Sequence, residues 1–227
     1  MKKWIGWTVA ALLAVGLGGF AYVYFAGGSG EPSAEITTPS VVDAGSGTTA
    51  FVIDETRSEA SFEIGEVLRG SANTVSGTTS ELGGQVVVDP SDLSTVQISQ
   101  IVINGRTFAT GNGFRDRAIR GPIILNSSDD QFEFITFDPT EISGLSGTAE
   151  VGDEISFTVT GDLTVKGTTN QEVFDVTVSF VDAGTISGEA RTTVMREDYG
   201  IGIPNAPGVA DVSEEAVITL TFVATAG

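Results

Sequence analysis

Four of the chain's eight arginines fall within Gly105–Gly121 (GRTFATGNGFRDRAIRG): Arg106, Arg115, Arg117 and Arg120. Arg115 and Arg120 stand beside Phe114, Ile119 and Ile123. A guanidinium is a planar fork of donors that suits phosphate and other oxygen acceptors. In apolar company it fits the polar end of an amphiphile, such as a pyrophosphate or a quinone. Internal ion pairing is the alternative: thirty acidic residues face eleven basic ones, for a formal net charge of −19. Arg115 or Arg117 can pair with Asp116 or another acid, and Arg196 with Asp198. Other chemistry is scarce. The chain has no Cys and no His, which removes thiolate nucleophiles, the usual zinc ligands and every Ser-His or Cys-His dyad. The acid pairs Asp129-Asp130 and Glu214-Glu215 lack the spacing of a calcium loop, and Gly111-Asn112-Gly113 has no phosphate-loop signature around it. We expect no metal site, no catalytic group and no cofactor. So acidic a surface repels nucleic acid.

The arginines need a frame, and its clearest part is Glu154–Val181. Ile155, Phe157, Val159, Leu163 and Val165 alternate with polar residues, as do Phe174, Val176, Val178 and Phe180. Period two marks strands with one buried face, and Lys166–Asn170 supplies the turn of an antiparallel hairpin. Further strands are predicted over Phe51–Asp54, Glu59–Ile64, Gln85–Asp89, Val96–Ile103, Phe132–Phe137 (stopped by Asp138-Pro139), Ile142–Val151, Thr185–Val194 and Ala216–Ala224. Gly65–Ser71 breaks the pattern. Asn112–Ile119 reads as one short helix. Eight to ten strands at regular spacing argue a sandwich or a closed antiparallel barrel.

Ahead of this domain (51–227) lie two other segments. Lys2-Lys3 precedes an uncharged apolar run from Trp4 to Ala26. The run is long enough to cross a bilayer, with Trp4 and Trp7 at one end and Tyr22 and Tyr24 at the other. Residues 1–26 are thus expected to be a single transmembrane helix, the lysines cytoplasmic and the rest outside; cleavage after Ala26 is the alternative. Residues 27–50, rich in Gly, Ser, Thr and Pro, read as a flexible linker holding the domain a few tens of Å from the membrane.

Six stretches in order resemble the YceI-like family of polyisoprenoid-binding, lipocalin-like bacterial proteins. They are FVIDETRSEASFEI from Phe51; Thr110-Gly111-Asn112 with Arg115-Asp116; Phe134–Phe137; Gly161–Thr169 (GDLTVKGTT); Arg196–Gly200 (REDYG); and Val212–Ile218 (VSEEAVI). The resemblance spans about residues 51–224. It implies an all-β fold, an extended eight-stranded antiparallel lipocalin-like barrel with one short helix, whose apolar interior binds an isoprenoid or similar long-chain lipid without chemistry. Expected ligand-binding residues are Phe62, Ile64, Phe108, Phe114, Arg115, Ile119, Arg120, Phe134, Phe157 and Phe174. The resemblance places the domain outside the cytoplasm, periplasmic or at the cell surface, and exposed barrel strands allow a homodimer. Two departures stand out. Gly65-Glu66 and Arg117-Ala118-Ile119 occupy positions where members often carry His, and Gly121–Leu125 (GPIIL) replaces an Asp-Phe-Phe-like segment. The ligand's polar end is then held differently, or the ligand differs. A small barrel can also fill its interior with side chains, so a solidly packed structural or stress-protective module is the alternative function, with an enzyme third.

Overall fold

The structure, a computed structural model, describes residues 22, 25–37, 47–204 and 207–227. Its strands are β1 (Thr49–Ile53), β2 (Glu59–Leu68), β3 (Ser71–Thr79), β4 (Leu82–Gly83), β5 (Gln85–Val88), β6 (Gln97–Ile98), β7 (Ile101–Asn104), β8 (Phe134–Ser143), β9 (Glu154–Val165), β10 (Thr168–Asp182), β11 (Thr185–Met195), β12 (Val209–Ala210) and β13 (Glu215–Ala226). The helix α1 covers Gly113–Arg120.

The β9–β10 hairpin is as its alternation predicts, with Val165 opposite Thr168. Its turn is tighter than expected. Lys166 and Gly167 both take positive φ, 52° and 76°, the geometry that suits the right-handed twist of two-residue hairpins. The Lys166 ammonium donates to the carbonyls of Ile123 (3.0 Å) and Gly200 (3.3 Å), tying this turn to α1's C-terminal loop and to the loop before β12.

All strand pairs are antiparallel and belong to one strongly curled sheet of thirteen strands among the described residues; ten run in the order β4-β7-β8-β9-β10-β11-β13-β1-β5-β6, and β2 branches from β13 and pairs with β3 and β12. β13 pairs along one edge with β11 and along the other with β2 and β1 in turn. The sheet curls back on itself where Thr78 of β3 pairs with Ala109 and where β4 pairs with β7. This is consistent with a lipocalin-like barrel. The expected eight strands are exceeded: β4, β6 and β12 hold only two residues each, and ten longer strands remain.

Four local expectations are corrected. β8 runs straight through Pro139, because a register shift between Pro139 and Glu141 accommodates it; proline is tolerated in sheets at such bulges. The segment after Ser143 is loop, not strand. Val96–Ile103 breaks into β6 and β7. β2 continues through Gly65 to Leu68, where the sequence pattern breaks, and β3 follows from Ser71 over residues to which the sequence pattern assigns no element. The transmembrane helix expected over residues 1–26 falls mostly on residues outside those described; among the described ones no helix is long and apolar enough to cross a membrane.

Residues 27–37 do not behave as free linker. The Arg120 guanidinium donates to the Gly27 carbonyl at 2.8 Å. Ser33 donates to Glu133 through its N–H (2.9 Å) and its hydroxyl. Residues 38–46, the middle of the expected linker, lie outside the described residues.

Candidate functional site

The inner face of the sheet encloses a cavity of about 1010 Å³. Strand alternation builds its walls: Phe62 and Ile64 on β2, Phe157 and Leu163 on β9, Phe174 and Val176 on β10 all point inward. One level of the wall runs Phe157–Val176–Ala190–Leu220–Ala60 across five neighbouring strands. All five line the cavity, and the two alanines keep that level wide.

Glycines lay the rings against the wall. Phe62 sits opposite Gly77 and Phe222 opposite Gly188. A Cβ on either glycine would run into the ring across from it. Phe62 then meets Phe108 edge to face, with ring centroids 5.3 Å apart, and Phe137 meets Phe174 likewise at 4.8 Å. Aromatic pairs favour this geometry, and rings lying flat leave the centre open.

The cavity opens at one end. Its exposed lining residues are Tyr22, Asn112, Phe114, Ile123, Pro204 and Pro207. They belong to α1 and its flanks, the loop before β12 and the start of the described chain. At the opposite end Leu93, Phe180, Ile186 and Phe222 are buried and close the interior. The loop after β8 caps that end: the Leu93 N–H donates to Gly147 and the Gly152 N–H to Phe180.

α1 forms because Asn112 caps it, accepting from the N–H groups of Phe114 and Arg115 at 3.1 and 3.2 Å. Arg117 and Arg120 in its last turn suit the negative end of the helix. Asp116 accepts from the Thr110 N–H and hydroxyl, at 2.8 and 2.6 Å, and fixes the approach to α1. The charged side chains reaching the cavity are Glu66, Arg115 and Arg196. Arg115 lies 3.9 Å from the buried Glu66, which also accepts from Asn73 at 2.8 Å. Arg196 is itself buried, and its guanidinium is engaged by Glu214 (2.8 Å) and by the carbonyls of Ser213 and Ile201. It does not pair with Asp198 as expected.

Of the ten residues predicted for the ligand, eight line the cavity: Phe62, Ile64, Phe108, Phe114, Arg115, Ile119, Phe157 and Phe174. Two do not. Phe134 is on the other face of β8, where Ile135 and Phe137 turn inward instead. Arg120 is buried against the Gly27 carbonyl. Sequence reading missed Glu66, which extends β2 past its expected end, and Phe137 and Tyr199.

Tyr199 is almost wholly buried and donates to Glu172 at 2.8 Å. Burial first, then this hydrogen bond, pushes its phenol above the ordinary 10.0. A raised pKa contributes stability that is complete below the unfolded-chain value and lost as the pH climbs past it. Stability should therefore fall above a pH of about 10, and Tyr199→Phe should flatten that decline. Thermal unfolding across the alkaline range checks this; parallel declines in both proteins would contradict it.

A YceI-like domain family model matches residues 51–224. A UPF0312 protein of Staphylococcus aureus strain N315 is 28% identical over 164 residues, 70% of this chain and 85% of that one. Among solved structures, BcnA of Burkholderia cenocepacia superposes with a TM-score of 0.60 at 21% identity, covering 76% of this chain and 99% of that one. A domain from Saccharophagus degradans, described as polyisoprenoid-binding and implicated in plant cell wall breakdown, gives 0.58 at 14% identity, over 79% and 99%. These structural likenesses concern the fold.

Proposed function

The chain belongs to the YceI-like family, and from that premise we propose that its barrel binds an isoprenoid-type lipid and carries or sequesters it outside the cytoplasm, without catalysing a reaction. The observation that carries this reading is the apolar cavity of about 1010 Å³, open at one end. At about 30 Å³ for each water-sized group, it takes a chain of some thirty non-hydrogen atoms, roughly six five-carbon units. Each buried CH₂-sized group contributes about 0.8 kcal/mol, so about thirty of them exceed the cost of association. The polyisoprenoid-binding description of the Saccharophagus degradans domain supports the same ligand class. A solidly packed core fits such a cavity poorly.

The polar end of the ligand belongs at the mouth, beside Arg115 and Glu66. Because Glu66 stands 3.9 Å from Arg115, an anionic head would meet a carboxylate as well as a guanidinium. The pair suits a neutral head that accepts from Arg115 and donates to Glu66, such as an alcohol. Titrating the full chain in detergent with a polyprenol and with its phosphate tests this. The polyprenol should bind more tightly, and Glu66→Gln should shift the preference toward the phosphate several-fold. An unchanged ratio would remove the pair from head-group selection, and binding of neither lipid would contradict the carrier reading itself.

A further inference from the structure

We propose that the rim of the cavity mouth docks on a lipid bilayer, the one that holds the chain's own N-terminal apolar run, so that ligand passes between bilayer and barrel without crossing water. This rests on the lipid-binding reading above and adds to it an orientation and a partner surface.

Three observations carry it. First, apolar side chains crowd the mouth. Phe25 is 78% exposed, Tyr22 53%, Phe114 46% and Ile123 43%, and all but Phe25 line the cavity itself. Exposed apolar groups gathered round an opening mark an interaction surface, and aromatic side chains suit the headgroup layer of a membrane.

Second, the apolar run ends at this rim with no slack. Tyr22, Phe25 and Ala26 are helical, and Ala26 is the last residue of the uncharged run that begins at Trp4. The very next residue is clamped: Arg120 holds the Gly27 carbonyl at 2.8 Å. A Cβ placed on Gly27 would run into the Arg117 carbonyl, so the strap lies directly on the backbone of α1. Ser33 pins the strap again, on the buried carboxylate of Glu133. A barrel clamped at residue 27 cannot stand tens of Å from a membrane that receives residues 4–26. The rim has to meet its surface.

Third, the mouth and the clamp share their parts. Tyr22, Ala26, Arg117, Ala118, Ile123 and Pro204 close round one shallow depression beside the opening. α1 thus binds the strap on one side and lines the lipid cavity on the other.

The chain has no Cys, so single-cysteine variants report from one site each. The full chain would be reconstituted into phosphatidylcholine vesicles with a fluorophore at Phe114→Cys or Ile123→Cys on the rim, or at Val151→Cys or Val181→Cys at the closed end. All four positions are exposed. A fraction of the phosphatidylcholine would carry a nitroxide quencher near its headgroup. We expect several-fold stronger quenching at the two rim sites, and a loss of that difference in Gly27→Val, which breaks the clamp. Equal quenching at all four sites, stronger quenching at the closed end, or a chain that fails to float with the vesicles would overturn the proposal. Solvent extraction of the same preparation separates the two readings. Bound isoprenoid without rim quenching leaves the carrier reading and removes the docking; rim quenching without any isoprenoid does the reverse.

Discussion

Ala190→Phe is expected to weaken lipid binding by about three decades in Kd or more without unfolding the barrel. Ala190 lies in the layer Phe157–Val176–Ala190–Leu220–Ala60, where it and Ala60 are the small members. A benzyl group there has only the cavity to enter. Displacing about six ligand carbons forfeits about 5 kcal/mol at about 0.8 kcal/mol per CH₂, more than three decades in Kd. The effect on stability separates a carrier from a packed module. In a solid core the same change overpacks and costs about 1–3 kcal/mol. In an open cavity it fills space and leaves the unfolding temperature unchanged or higher. Binding of a labelled polyprenol and thermal unfolding, both on the full chain in detergent, read the two effects. Retained affinity together with a lowered unfolding temperature would contradict the cavity.

Arg106→Met is expected to destabilise the protein by about 3–5 kcal/mol, the usual cost of breaking a buried ion pair by removing one partner. Glu133 is fully buried. It accepts from Asn104 at 2.8 Å and from Ser33, and Arg106 Nη2 stands 3.3 Å away. Arg106 also donates to the Ser127 carbonyl (2.7 Å) and to Asp130 (2.7 Å). Without the guanidinium, the Glu133 carboxylate is left buried with neutral donors only. The double change Arg106→Met/Glu133→Met should recover part of the loss, because removing both charges removes the desolvation cost with the attraction. Thermal unfolding monitored by circular dichroism decides it; a double variant no more stable than Arg106→Met would show that the pair is not coupled.

Much of the frame was legible because period two is visible wherever one face is apolar. The β9–β10 hairpin, the short helix α1 to within a residue at each end, and the apolar stripe through Phe62 and Ile64 all announce themselves. β3 does not, since SANTVSGTT offers Val75 as its one large apolar residue, and its place is fixed by pairing with β2 along its whole length. Period two says that Phe134 and Ile135 face opposite ways but not which way is in. That is settled by the partners of β8, β7 and β9. Arg120 illustrates a further limit. Its neighbours in sequence are apolar, yet its partner is a backbone carbonyl 93 residues away. No residue type announces that contact, because the strap is held by backbone atoms and one serine. The same blindness makes residues 27–37 read as linker.

The most direct test of the carrier reading is native mass spectrometry of the full chain purified from a membrane-containing host, beside Ala190→Phe prepared identically, with lipid extraction from both. Any lipid that co-purifies without occupying the cavity will appear in both samples. The predicted result is one isoprenoid-type lipid per chain, present in the wild-type protein and missing from Ala190→Phe. A wild-type mass with no such lipid, and no uptake of added polyprenol, would contradict it.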